Sequence, residues 1–321
     1  HVRSIIAYNA ESKVVETLRM NGVLLAQIAP NGGIISGSSS VVQLDAWNWE
    51  DAVIRYDQGI HLNWPSPYSR SGYSYYRGPS VIKKSDKYES NVEEIKNFFD
   101  SSKAYLNEPN PNPVSLPYKA MSSVFSGNAT VFLHANNEKQ ITDGVKFLQD
   151  QKIKNIVVVG GTNSLEAGGF LADNNIKIAL EQPHNLPSME DEDVKSRFRL
   201  ASQLINKGVT VAVDATGEMT RMNTRNLPFF AGSFAAYGVE KEKAVETITL
   251  NAAKVLGIED NYGSIEVGKS ATLFISYGDA LDMRTNNLSH AFIDGREVSL
   301  ETNQTKLWQR YKKKVEEEKS N

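Results

Sequence analysis

An α/β fold built on a parallel sheet is predicted by a repeated theme: an amphipathic helix, a glycine-containing turn, then a short continuous apolar strand. Residues 14–22 lead into 23–30, 138–154 into 155–161, 163–175 into 176–183, and 194–208 into 209–216. Strands apolar throughout their length suit a parallel sheet covered on both sides, and their alternation with helices supplies the crossovers such a sheet needs. Each unit spans roughly 25 to 30 residues, which fits a (β/α) barrel and a doubly wound open sheet equally well. In either case chemistry belongs at the carboxyl ends of the strands, which here read HANN, GGTNS, EQPHN and DATGEM.

Composition narrows the function classes. A chain of 321 residues that is 40% hydrophobic can bury a large core. Its 35 basic and 38 acidic residues leave a formal charge of −3, so no summed field points to nucleic acid or an anionic membrane. With no cysteine, disulfides, thiolate metal sites and a cysteine nucleophile are excluded, and any metal must be held by histidine and carboxylate. No apolar run approaches the roughly 20 residues of a membrane span, and no signal-peptide pattern is present. His1 opens the chain without a methionine, at what reads as the middle of a segment, so a trimmed or incomplete parent is expected, with a periplasmic or secreted location.

Two regions interrupt the theme. Residues 31–53 carry a glycine and serine run that lacks both G-x-x-x-x-G-K-[ST] and G-x-G-x-x-G, which argues against phosphate binding. The segment from Pro65 to Ser80 is rich in proline, tyrosine and serine, and is expected to form a flap over the strand tips. After Asp260 short alternating strands with an Asp294-Gly295 hairpin signal predict a small β unit. The tail reads as an exposed charged helix. The expected division is 1–260 for the main α/β body, 261–300 for the β unit and 301–321 for the helix.

Residues 244–275 resemble the carboxyl-terminal signature of the amidohydrolase superfamily in its imidazolonepropionase-like branch. The match runs through Asn251, Ala253, Leu256, Gly257, Gly263, Ile265, Gly268, Lys269 and Ala271, and departs from it at Thr272, where the family carries Asp. The stretches 131–148 and 227–249 resemble the fifth barrel strand with its helix and the helical region before the signature. The resemblance covers Val23 to Val298. It implies a (β/α) TIM-type barrel, incomplete at its first strand, with a small carboxyl-terminal β unit. It also implies a zinc-type divalent metal and a small amide or peptide-like substrate.

Similar proteins supply ligands as H-x-H after the first strand, Lys or Glu after the fourth, single histidines after the fifth and sixth, and Asp after the eighth. His134 falls on the fifth-strand position. No H-x-H occurs, Gly160 stands where the sixth-strand histidine belongs, and Thr216 stands at the Asp position with Asp214 two residues earlier. Two residues along a strand keep the same facing, so Asp214 remains a candidate base, set about 7 Å deeper; the competing reading is a carboxylate fixing a strand end. Substitute ligands or substrate contacts are His184 and Glu181 at the seventh strand tip, His61 at the end of another predicted strand, Asn136 beside His134, and Thr216. A loop histidine such as His184 also has a purely structural reading. A Ser-His-Asp hydrolase is disfavoured, since no G-x-S-x-G elbow occurs.

Two functions follow as expectations. One is hydrolysis of C–N bonds in cyclic amides or peptide-like substrates with an incomplete metal site. The alternative is an inactive domain serving as scaffold, as partner in a homo-oligomer or with an active amidohydrolase domain, or as small-molecule binder. The ligand count predicts metal that is absent or weakly bound, because a catalytic zinc ordinarily takes three protein ligands plus water.

Overall fold

The structure is a computed structural model and describes residues 1–71, 81–187, 192–215 and 222–320. One seven-stranded sheet organises it, in the order β1 (Leu25–Ile28), β2 (Ile35–Gln43), β3 (Val53–Asn63), β6 (Thr130–Asn137), β7 (Ile156–Asn163), β8 (Lys177–Glu181) and β9 (Val211–Asp214). From β3 through β9 every pairing is parallel, as the helix and strand alternation predicts. The α/β class is therefore as expected.

β1 departs from that reading, because it pairs antiparallel with β2, and β2 pairs antiparallel with β3. The link at residues 29–34 is too short to carry a crossover, so the chain has to turn back on itself. The glycine and serine run is not an interruption either. It forms the long strand β2, with Ser38, Ser39 and Ser40 all buried. Buried hydroxyls are tolerated because each finds a partner: Ser38 Oγ donates to Asp57 at 2.9 Å, Ser39 Oγ accepts from Gln27 Nε2 at 3.1 Å, and Ser40 Oγ accepts from the Asp57 amide at 2.9 Å. The small side chains also suit a close approach of backbones, since a Cβ on Gly37 would lie 2.4 Å from the Val2 carbonyl oxygen.

Alternate residues of the parallel strands sort into two apolar clusters, as a period of two requires. Ile60, Leu62, Val131, Leu133, Val158, Ile178 and Leu180 face the layer of helices 88–107, 138–150, 196–206 and 227–236. The helix Glu138–Asp150 shows how this layer is specified. Ile141, Val145 and Leu148 recur at helical spacing and are buried, and together contribute on the order of 6 kcal/mol of transfer free energy. Its start is written in the residues after His134. Asn137 caps the helix by accepting from the Gln140 amide at 3.0 Å, while Gln140 Oε1 reaches back to the Asn136 amide at 3.2 Å.

Phe132, Val157, Val159 and Ala212 form the opposite face. Val255, with Ala252 and Leu256, covers its amino-terminal part from the helix Leu250–Leu256.

Three further strands, β10 (Leu273–Ser276), β11 (Leu288–Ile293) and β12 (Arg296–Glu297), form a separate antiparallel sheet. Asp294 and Gly295 both adopt positive φ in its hairpin, as the Asp-Gly pair predicts. Leu24 packs against Ala291, Ile293 and Val298 and ties this sheet to the body. The last helix, Asn303–Ser320, is exposed from Lys306 to Lys319. Of the expected flap, residues 72–80 lie outside the described residues; the flanking strands β4 (Tyr68–Ser71) and β5 (Val81–Lys84) form a two-stranded ladder.

Candidate active site

His134 is the fifth residue of β6, and β3 runs beside it with Asn63 opposite His134 and His61 opposite Phe132. Side chains two residues apart on a strand share a face, so His61, Phe132 and His134 all project from the same side of the sheet. His61 stacks on Phe132 with ring centroids 4.8 Å apart and planes 11° from parallel. Gly59 makes room for that stack, since a Cβ there would lie 2.3 Å from the Phe132 ring. His61 Nδ1 meets His134 Nε2 at 2.8 Å, one ring donating and the other accepting.

His61 is buried, only 2% exposed, and His134 is half-buried. Loss of hydration, with the neighbouring His134 second, pushes the His61 pKa down to about 3. Burial alone pushes His134 down to about 4. Both rings are therefore neutral near pH 7. His61 Nε2, on the far side of its ring, is buried and has no hydrogen-bond partner among the described residues.

Across the sheet, Glu181 closes β8 and Asp214 closes β9, opposite each other in register. Each continues the alternation of Ala179 and Ala212, so both carboxylates project from the histidine face. Burial raises the Glu181 pKa, opposed by Arg197 and by a 2.7 Å hydrogen bond from Asn185 Nδ2. Between this half and the histidine half lies the tip of β7. There Gly160 and Gly161 take φ of 98° and 61° and offer no side chain.

The other predicted residues go elsewhere. His184, in the loop after β8, bonds through Nε2 to Ser233 Oγ at 2.8 Å and packs its ring against Phe198 and Phe230. Asn136 is exposed beside Gly160, and Thr216 lies outside the described residues. The structure brings together His61 and His134, a partnership that sequence order hides. The only signal for it was that GIHLNWP ends a strand on a histidine.

Residues 59–298, well over half of the chain, match the pattern of the Amidohydrolase family. The chain belongs to that family. Its fold is similar to that of an amidohydrolase from Thermotoga maritima, with a TM-score of 0.77 at 19% identity over 93% of this chain and 78% of that one. Partial likenesses extend to another amidohydrolase, with a TM-score of 0.45 at 16% identity over 64% of this chain and 58% of that one. They also include a zinc-bound adenosine deaminase from Xanthomonas campestris, with a TM-score of 0.44 at 17% identity over 76% and 64%. No curated protein matches the chain by sequence.

Members of the amidohydrolase family act on small molecules and usually bind a divalent metal, so the donor set of this amidohydrolase is the test of fit. His61 and His134 present two neutral nitrogens, the form a metal requires. These nitrogens are already bonded to each other. Among the described residues, no three His, Asp or Glu side chains converge closely enough to hold an ion. The described residues do not fit a complete catalytic metal centre of the three-ligand kind.

Proposed function

We propose that this chain is an amidohydrolase domain of the imidazolonepropionase-like branch whose strand tips bind a small amide or peptide-like molecule and hydrolyse it little or not at all. The reading takes residues 1–260 as a (β/α) barrel, 261–300 as part of a β-sandwich and 301–321 as an appended helix. The observation that carries it is the His61–His134 pair, closed on itself at 2.8 Å with no third ligand converging among the described residues.

A second reading, cleavage of C–N bonds in cyclic amides or peptide-like substrates by a metal enzyme, is favoured by one feature of the same pair. Burial keeps both rings neutral, as two ligands awaiting an ion would be. Elemental analysis of the purified chain separates the two, combined with hydrolysis assays on cyclic imides and N-acyl amino acids with and without added zinc. Substoichiometric metal and no turnover above background are expected. One tightly held divalent ion per chain, with zinc-dependent turnover, would select the second reading.

A further inference from the structure

β7 runs beside His134, and its tip is where a third side chain could approach the histidine pair from the adjacent strand. His134 lies opposite Val159 and Ala135 opposite Gly160, after which the register shifts before Asn163 rejoins Asn137. The shift coincides with two consecutive residues in the left-handed region, Gly160 at φ 98° and Gly161 at φ 61°. Only glycine takes a φ near 98° without strain.

Space is closed as well as conformation. A Cβ on Gly160 would stand 2.6 Å from Asn136 Oδ1 and 3.5 Å from the Ala135 carbonyl oxygen. One on Gly161 would stand 2.4 Å from Cδ1 of Ile178, which has no exposure, and 3.3 Å from Ser164 Oγ. Asn136 is exposed and can rotate aside, whereas Ile178 is held inside the main core. The two obstacles at position 160 are thus separable: the amide oxygen can move, and the backbone torsion cannot.

We infer that the diglycine turn at the end of β7 bars the tip of this strand, beyond Val159, from contributing a side chain to the His61–His134 pair, with the Asn136 carboxamide occupying the volume beside it. The absent sixth-strand histidine is then a consequence of backbone geometry, and placing histidine at 160 does not rebuild a metal centre. The inference deepens the reading of an incomplete centre, on which it rests.

The test uses the full chain as wild type, Gly160→Ala, Asn136→Ala/Gly160→Ala and Gly160→His, each incubated with excess zinc, desalted, and examined by elemental analysis and thermal unfolding. Gly160→Ala should lower Tm by roughly 2–5 °C. Removing the Asn136 carboxamide should restore only part of that loss, because the torsional strain remains. Gly160→His should retain no more zinc than wild type. An unchanged Tm in Gly160→Ala, or about one additional zinc per chain in Gly160→His, would overturn the inference. If Gly160→His does not fold, the alanine pair decides alone. Zinc retained by the wild type counts against the proposed function and is read separately from the differences among variants.

Discussion

His61 Nδ1 lies 2.8 Å from His134 Nε2 although 73 residues separate them in the chain. The parallel ladder between β3 and β6 makes the contact, by setting Asn63 opposite His134 and so holding His61 one diagonal step away on the same face.

The pair makes stability pH-dependent in a defined direction. A histidine whose folded pKa lies below its unfolded value stabilises the protein fully above the unfolded pKa, near 6.5, and loses that contribution as the pH falls toward the folded one. With folded values of about 3 and about 4, the loss runs from pH 6.5 down to about 4 for His134 and down to about 3 for His61. Urea unfolding should show stability lower by roughly 5 kcal/mol at pH 4.5 than at pH 7.5, about half from each ring, and a His61→Phe variant should flatten the slope. A wild-type profile with no fall across this interval would contradict burial of neutral rings.

Replacing either histidine should expose the coupling between them. His61→Phe keeps the stack on Phe132 and should cost less than about 1.5 kcal/mol. His134→Leu strands both nitrogens of the buried His61 ring and should cost about 1–3 kcal/mol. The double variant should be less destabilised than the sum of the two by about 1 kcal/mol. Strict additivity would show that the 2.8 Å contact contributes nothing.

Gly59→Ala tests the floor of the site. The added methyl would lie 2.3–2.5 Å from Phe132 ring carbons and 3.1 Å from Ser39 Oγ, both in buried residues. Overpacking here should cost about 1–3 kcal/mol and shift the His61 and His134 ring resonances in NMR spectra. Unmoved resonances would separate the ring stack from the pair.

The family signature should prove structural in this chain. Gly257 ends its helix in the left-handed region at φ 66°, its carbonyl accepts from Arg55 Nη1 at 2.5 Å, and a Cβ would meet that same nitrogen. Asn251 Nδ2 donates to the Val211 carbonyl at 3.1 Å and ties the helix to β9. Gly257→Ala is expected to cost about 1–2 kcal/mol and Asn251→Ala about 1 kcal/mol in chemical denaturation. Metal retention should not change in either variant, and a change would assign the signature a role in the site.

The sequence by itself determined what depends on neighbours along the chain. Apolar runs of strand length and helical spacings such as Ile141, Val145 and Leu148 marked the parallel units. Asp294-Gly295 marked a hairpin, and each of these signals acts within a few residues, where torsional preference and amphipathic period decide the outcome. Tertiary structure decided what depends on register. β2 reads as a loop until its serine hydroxyls find Asp57 and Gln27 across the sheet, and β1 turns antiparallel because its link is too short to cross over. His61 and His184 looked alike as isolated histidines near strand ends. One now pairs with His134 and the other with Ser233, because a side chain's partner is set by which strands lie side by side and at what offset, a quantity that local preference does not encode.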